Sequence, residues 1–198
     1  MAEYTFTANW TDPHRATWEA IINKWQPIKI LEIGAFEGRT TCFLIEQISK
    51  YGVAEICCVD TWEGGEEHFD VDMQSVEQRF IHNTQLAIER SEKQVSLKTF
   101  KGFSTEQLPK LLVDSYKESF DLVYVDGSHQ APDVLFDCLM AYHLCKKGGV
   151  IICDDYVWRI GDVLHEPKIA IDSFVNIFRN KVSLINASFP QLYLYKND

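Results

Sequence analysis

The sequence predicts an α/β fold in which a mostly parallel sheet is covered by helices on both faces. Three observations carry this. From Ile28 onward, short β-rich apolar runs alternate with longer segments of helical period. Two of the runs, FDLVYVD ending at Asp126 and GVIICDD ending at Asp155, are almost continuously apolar, as strands buried on both faces are. Between them Val134, Leu135, Cys138, Leu139, Tyr142 and Cys145 recur at helical spacing, after Pro132 and acidic Asp133 and before Gly148-Gly149.

In chain order, IKILEI, EICCVD and VSLKTF are expected as the first three strands, and FDLVYVD and GVIICDD as the fourth and fifth. Weaker helical patterns cover Thr40 to Lys50, Val76 to Arg90 and Ser104 to Ser115, and Pro167 to Arg179 reads as one more helix. The runs VSLINA and LYLYK, separated by Ser-Phe-Pro-Gln, suit a closing antiparallel hairpin. Trp62 to Gln74 is acidic, contains Gly64-Gly65 and lacks periodicity, so a mobile loop is expected there, at the carboxyl edge of the sheet. Trp10, Trp18 and Trp25 recur at spacings of eight and seven, which reads as the buried stripe of an N-terminal helix or its lead-in.

A chain of 198 residues with 46% apolar content can close one sizeable core, and no repeat or Pro/Gly/Ser-rich linker marks a boundary. One domain over 1–198 is expected, with an N-terminal helical extension over 1–27 and the core over 28–198. A formal charge of -10 repels phosphate backbones, so nucleic acid is not expected as a partner. No apolar stretch is long enough to span a bilayer, and the N-terminus lacks a targeting pattern, so no membrane partner and a cytoplasmic location are expected. Cys57, Cys58 and Cys153 lie in strand-like runs and Cys42, Cys138 and Cys145 on helical patterns, with no CxxC pair. Reduced core thiols are therefore expected rather than disulfides or a zinc site.

The chemistry gathers at the carboxyl ends of the expected strands, where open α/β sheets bind ligands. In LEIGAFEGRTT, Gly34 and Gly38 are spaced GxxxG, which is neither the dinucleotide GxGxxG nor the phosphate-gripping GxxxxGK[ST]. A glycine turn without a phosphate grip, preceded by acidic Glu32, suits a cofactor that is cationic and phosphate-free, and S-adenosylmethionine is such a cofactor. Standing alone, the turn would read as packing. Asp60, however, ends the second run where an acidic side chain can hold both hydroxyls of an adenosine ribose; its bland alternative is a turn cap. VDGSH after the fourth run and CDDY after the fifth place Asp126, Asp154 and Asp155 at adjacent strand ends. Two carboxylates about 4 Å apart repel by roughly 4 kcal/mol at an effective dielectric near 20, so such a trio asks for a cation or a retained proton. Magnesium, with manganese as substitute, would suit oxygen ligands. The alternative for Asp155 is a cap pointing to solvent. His129 could face the same cleft as a general base or ligand, or bond to backbone at a helix start.

With these residues stated, the sequence resembles class I S-adenosylmethionine-dependent methyltransferases, in particular the small branch containing macrocin-type sugar O-methyltransferases and cephalosporin-hydroxylase-like proteins. The likeness covers about Ile28 to the end and rests on LEIGAFEGRTT, VDTWEGG, FDLVYVDGSHQAPDVLFDCL and KKGGVIICDDYVW in this order. It implies a Rossmann-like three-layer α/β/α sandwich with a seven-stranded, mostly parallel sheet and one antiparallel strand in the C-terminal hairpin. It also implies a cofactor turn at Glu32, Gly34, Ala35 and Gly38, a ribose contact at Asp60 with Thr61 and Trp62, an adenine border at Gly102, Phe103 and Ser104, and Asp126 beside the cofactor. In metal-dependent members, acids matching Asp126, Asp154 and Asp155 hold magnesium. The resulting expectation is methyl transfer to a hydroxyl of a small molecule or sugar, assisted by a divalent metal, with Asp126 or His129 taking the proton. Two rivals stay open: a metal-dependent hydroxylase on the same scaffold and a non-catalytic S-adenosylmethionine-binding module. A homodimer also stays open.

Overall fold

The computed structural model describes residues 3–65, 68–69, 71–159, 161–187 and 189–197. After a 3-10 turn at Asp12–His14, helix α1 (Arg15–Trp25) leads into alternating strands and helices. These are β1 (Lys29–Ile33), α2 (Arg39–Ile48), β2 (Ala54–Asp60), α3 (Met73–Arg90), β3 (Val95–Lys101), α4 (Ser104–Leu111) and β4 (Phe120–Val125). Then follow α5 (Ala131–Leu144), β5 (Cys145–Cys153), α6 (Pro167–Ile177), β6 (Val182–Leu184) and β7 (Leu192–Lys196). The seven strands form one sheet in the order β3-β2-β1-β4-β5-β7-β6. Strands β1 to β5 pair in parallel, and β7 runs antiparallel to both β5 and β6, so it is the single reversed strand. The sandwich expected from the sequence is the observed architecture.

Strand alternation explains the continuous apolar runs, because both faces of the sheet are covered. Leu31, Ile33, Val123, Val125, Ile151 and Cys153 point into one core, against α4, α5 and α6. Ile30, Ile56, Leu122, Tyr124, Val150 and Ile152 point into the other, against α1, α2 and α3. All six cysteines are free and buried, in keeping with core thiols. Among the described residues no helix is long and apolar enough to cross a membrane.

Three expectations shift. The helical pattern that seemed to run through Cys145 stops at Leu144, and β5 begins at Cys145, four residues before Gly149. The stop has a chemical cause: the buried Lys196 ammonium donates to the carbonyl oxygens of Tyr142 (3.0 Å) and Cys145 (2.9 Å) as well as to Glu118 Oε1 (2.9 Å), taking acceptors that a continuing helix would use itself. The tryptophan stripe holds at Trp18, which is 1% exposed in α1, and in part at Trp25, which ends α1 half-buried against the same core; Trp10 precedes the helix and is 63% exposed. The 1–27 extension is helical only from Asp12. Ahead of it, the Thr5 amide donates to Asn83 Oδ1 (2.7 Å) and the Thr7 amide to Glu37 Oε2 (2.7 Å), which ties an extended strap to α3 and to the β1–α2 turn. Finally, the loop expected over Trp62 to Gln74 starts from an anchored residue. Trp62 is buried, packs on Phe80 at 4.8 Å and donates its indole N–H to the Phe36 carbonyl (3.0 Å), while α3 already begins at Met73. Glu66, Glu67 and Asp70 of that segment lie outside the described residues.

Two acids are fully enclosed among apolar side chains. Glu32, in β1, accepts from Thr41 Oγ1 (2.6 Å) and Cys58 Sγ (3.3 Å) through Oε2, and burial pushes its pKa up to about 8. Asp137, in α5, is pushed up to about 7, again by burial. Both hold protons in the folded state that they release in the unfolded one. Their stabilising contribution is therefore complete below their ordinary range and declines as pH rises through it toward 8. Urea denaturation should give lower stability at pH 8 than at pH 5, and Glu32→Gln should flatten that decline; an unchanged slope in the variant would remove Glu32 from the account. A second expectation concerns Gly34, whose φ is +85° and where an added Cβ would lie 1.9 Å from the Asp126 carbonyl oxygen. Gly34→Ala should cost roughly 4 kcal/mol, combining left-handed strain and overpacking at about 1–3 kcal/mol each. A melting temperature equal to that of the parent would contradict it.

Candidate active site

The ends of β1, β2 and β3 lie side by side because their parallel registers place Ile33 opposite Val59 and Asp60 opposite Lys101. From Ile33 the chain turns through Gly34 to Gly38, the latter at φ +76°, and Gly38 leads into α2. Asp60 grips this turn. Its Oδ2 accepts from the amides of Ala35 (2.7 Å) and Phe36 (2.9 Å), and its Oδ1 from the Trp62 amide (2.6 Å). A carboxylate offers about four acceptor sites, so three are committed to the protein's own backbone. Thr61 Oγ1 accepts from the Glu63 amide (3.0 Å), which caps the same loop. On the neighbouring strand the Gly102 amide donates to the Asp60 carbonyl (2.9 Å), Phe103 is largely exposed, and Ser104 opens α4 and bonds to Asp137. The structure thus brings together Gly34, Ala35, Gly38, Asp60, Thr61, Trp62, Gly102, Phe103 and Ser104 at one edge.

Glu32 sits differently from the rest. Its side chain points beneath the turn, and its Oε1 is buried without a hydrogen-bond partner. Glu32 is fully buried and keeps its proton, so it braces the turn through Thr41 and Cys58 and offers no charge to a cationic ligand. The open glycine turn, which offers no phosphate grip, and the one acceptor site left at Asp60 for a ribose hydroxyl are what fit the residues to S-adenosylmethionine.

The acidic group lies at the ends of β4 and β5, next to the same turn: the Asp126 amide donates to the Ile33 carbonyl (2.8 Å), and the Asp154 amide to the Val125 carbonyl (2.9 Å). Tyr124 stands between two of the acids, its hydroxyl bonded to Asp126 Oδ2 (2.8 Å) and to Asp154 Oδ2. Asp154 also accepts from Gln191 Nε2 (2.7 Å) and from the Asp155 amide (2.7 Å). Asp155, with φ +53°, turns aside and pairs with His129 Nε2 at 2.8 Å, and the His129 ring lies 4.2 Å from that of Trp158. Desolvation, reinforced by the charges of Asp154 and Asp155, holds the Asp126 carboxyl well above its usual range; burial and the Asp155 charge raise Asp154. Desolvation and the neighbouring carboxylates likewise raise the Tyr124 hydroxyl.

The three acids are neighbours, but they do not point at one spot. Among the described residues no group of three His, Cys, Asp or Glu side chains is arranged to hold a metal ion. As placed, the trio does not fit a divalent cation: a tyrosine hydroxyl fills the space between two carboxyls, and the third is turned to a histidine. Tyr124 and Gln191 were missed from the sequence. Tyr124 is the one hydroxyl-bearing residue of β4 and lies two positions before Asp126, which is a signal the sequence carries. Gln191 follows a proline in a short loop and carries none.

The chain matches the family model described as "Methyltransferase domain" over residues 31–156, which is more than half of its length. It is 24% identical over 129 residues to an uncharacterized protein, R132, of Acanthamoeba polyphaga mimivirus, covering 64% of this chain and spanning about half the length of that relative. Among solved structures it is similar to cofactor-bound Rv0187 from MTB, with a TM-score of 0.66 and 14% identity over 99% of this chain and 84% of that one. It is also similar to the O-methyltransferase TomG from Streptomyces achromogenes, involved in tomaymycin synthesis and solved with S-adenosylmethionine, with a TM-score of 0.65 and 18% identity over 99% of this chain and 82% of that one. At these identities the structural likeness establishes the fold. Sequence match, sheet order and the paired glycine turn and strand-end acid agree, and the chain belongs to the methyltransferase-domain family.

Proposed function

We propose that the protein transfers the methyl group of S-adenosylmethionine to a hydroxyl oxygen of a small molecule or sugar. One observation carries this: the Asp126 backbone lies against Gly34, so the glycine turn and the acidic cluster form one continuous site in which donor and acceptor would meet. The O-methyltransferase TomG, solved with the same cofactor on the same fold, supports the choice of oxygen as acceptor. Gly34, Ala35 and Gly38, braced from beneath by Glu32, would hold the amino-acid end, Asp60 with Thr61 and Trp62 the ribose, and Gly102, Phe103 and Ser104 the adenine. The cofactor supplies an electrophilic methyl group on a sulfonium. His129 and Asp126 are the groups placed to take the proton of the acceptor hydroxyl as it attacks in line. Asp155, bonded to His129, orients the imidazole and stabilises the imidazolium that forms, the role a carboxylate plays beside a catalytic histidine.

A second reading is metal assistance by magnesium or manganese, favoured by the crowding of Asp126, Asp154 and Asp155, whose charges add to desolvation in raising Asp126 and, through Asp155, Asp154. Against it stands the placement of Tyr124 between the acids, so no step is derived through an ion. A small-molecule acceptor, the absence of nucleic-acid and membrane partners, a cytoplasmic setting and a homodimer belong to this proposal as well.

Calorimetry should show binding of S-adenosylmethionine and S-adenosylhomocysteine but not of NAD, and Asp60→Ala should weaken binding by about 1–3 kcal/mol through the lost charged acceptor. Comparable heat from NAD would overturn the cofactor assignment. Incubating a panel of alcohols and sugars with methyl-labelled cofactor, read by mass spectrometry, should reveal a methyl ether. On that acceptor His129→Gln should lower kcat by about 10²- to 10⁴-fold with cofactor affinity retained. Excess chelator should leave turnover intact if the proton is taken by His129 and Asp126 alone; its abolition, with rescue by magnesium or manganese, would favour the metal-assisted reading.

A further inference from the structure

Trp18, Gln191 and Tyr193 form a polar chain sealed inside an apolar core, with relative exposures of 1%, 3% and 1%. The indole N–H of Trp18 donates to Gln191 Oε1 (2.8 Å), and the Tyr193 hydroxyl donates to the same oxygen. An indole nitrogen can only donate, so the end of the amide facing it must be the oxygen. The NH₂ end of Gln191 is therefore delivered to the other side, where it lies 2.7 Å from Asp154 Oδ2. Asp154 Oδ1 is held by the Asp155 amide (2.7 Å). Both oxygens of this acid are thus fixed by donors whose own orientations are fixed, one of them reaching back to helix α1, 173 positions away in the chain. Apolar side chains could fill this volume without the requirement that every polar atom find a partner, and a buried network that is fully satisfied is a means of specifying one arrangement.

We propose that Gln191, oriented by Trp18, is the positioning residue that aims Asp154 within the acceptor site, which makes helix α1 part of the active-site machinery. This rests on the methyl-transfer reading above. Gln191 touches neither acceptor nor cofactor in this role; it acts through Asp154. Trp18→Phe keeps most of the ring and removes only the donor that sets the amide, whereas Gln191→Met keeps length and removes both ends.

The test combines kinetics on the acceptor found in the alcohol and sugar panel with a measurement that needs no acceptor. Each variant should lower kcat by roughly 10- to 100-fold, the effect of a small misplacement of a reacting group, while KM for S-adenosylmethionine and affinity for S-adenosylhomocysteine stay within about twofold. In an Asp154→Asn background, Gln191→Met should add no further loss, because the two act as one unit. Multiplicative losses, or an unchanged kcat, would overturn the proposal. In ¹⁵N spectra of the indole groups, Asp154→Ala should displace the Trp18 resonance in the parent but not when residue 191 is already Met. A displacement that persists in the Gln191→Met background would show that the coupling runs elsewhere, such as through Tyr124, whose ring meets Trp18 edge-on at 4.7 Å. If the parent methylates nothing in the panel, the proposed function fails, and the indole spectra still decide whether the strut exists.

Discussion

The contact between Gly34 and the backbone of Asp126 is the constraint from which the rest follows. Strand β1 lies at the switch point of the sheet, with β2 and β3 on one side and β4 and β5 on the other. Beyond its end the two halves of the sheet would diverge, and the connections on either side would leave a crevice between them. Here that crevice is pinned: the Gly34 amide bonds to the Val59 carbonyl (2.9 Å) on one side while the Asp126 amide bonds to the Ile33 carbonyl (2.8 Å) on the other. With no side chain at Gly34, the Asp126 carbonyl occupies the space that a Cβ would fill. The glycine turn and the acidic cluster are adjacent for this reason, and not because of any side chain contributed by either.

Around this pin the protein places carboxyl groups where water cannot reach them. Glu32 and Asp137 are enclosed on opposite faces of the sheet, and Asp126 and Asp154 share one end of it. In each the affinity for a proton is raised, chiefly by desolvation. Carboxyls whose proton affinity is raised in this way are the kind found where a protein exchanges protons with a substrate. Asp60 is the contrast in its surroundings: its oxygens face three backbone amides.

Much of this was legible in the chain itself. Alternation of apolar runs with helical patterns gave the sheet and its layers, because both faces of the central strands are buried and their residues could be apolar without interruption. The glycine turn, Asp60 and the acids after β4 and β5 were legible because they occupy strand ends, a position that local pattern predicts well. What was not legible depended on contacts between distant residues. The early start of β5 is set by Lys196 reaching the carbonyls of Tyr142 and Cys145, and no window around residue 145 contains that lysine. The divergence of Asp155 from Asp154 depends on a left-handed residue and on His129, and the separation of Asp126 from Asp154 on Tyr124; spacing along the chain shows neither. Trp10 and Trp18 share a helical spacing, yet one lies exposed in the turn before the 3-10 helix and the other in the core.

Strand β7 is inserted between β5 and β6 although it follows both in sequence. A ribosome therefore releases β5 and β6 before the strand that must separate them exists. Until β7 is made, the growing chain exposes the flank of β5 beside the unfinished acidic cleft, with no antiparallel partner, no Lys196 beneath the end of α5 and no Gln191 behind Asp154. Unpaired strand flanks of this kind recruit other chains. The insertion order makes completion of the cleft wait for a strand made after both of its neighbours, and until then the flank of β5 is open to pairing with other chains.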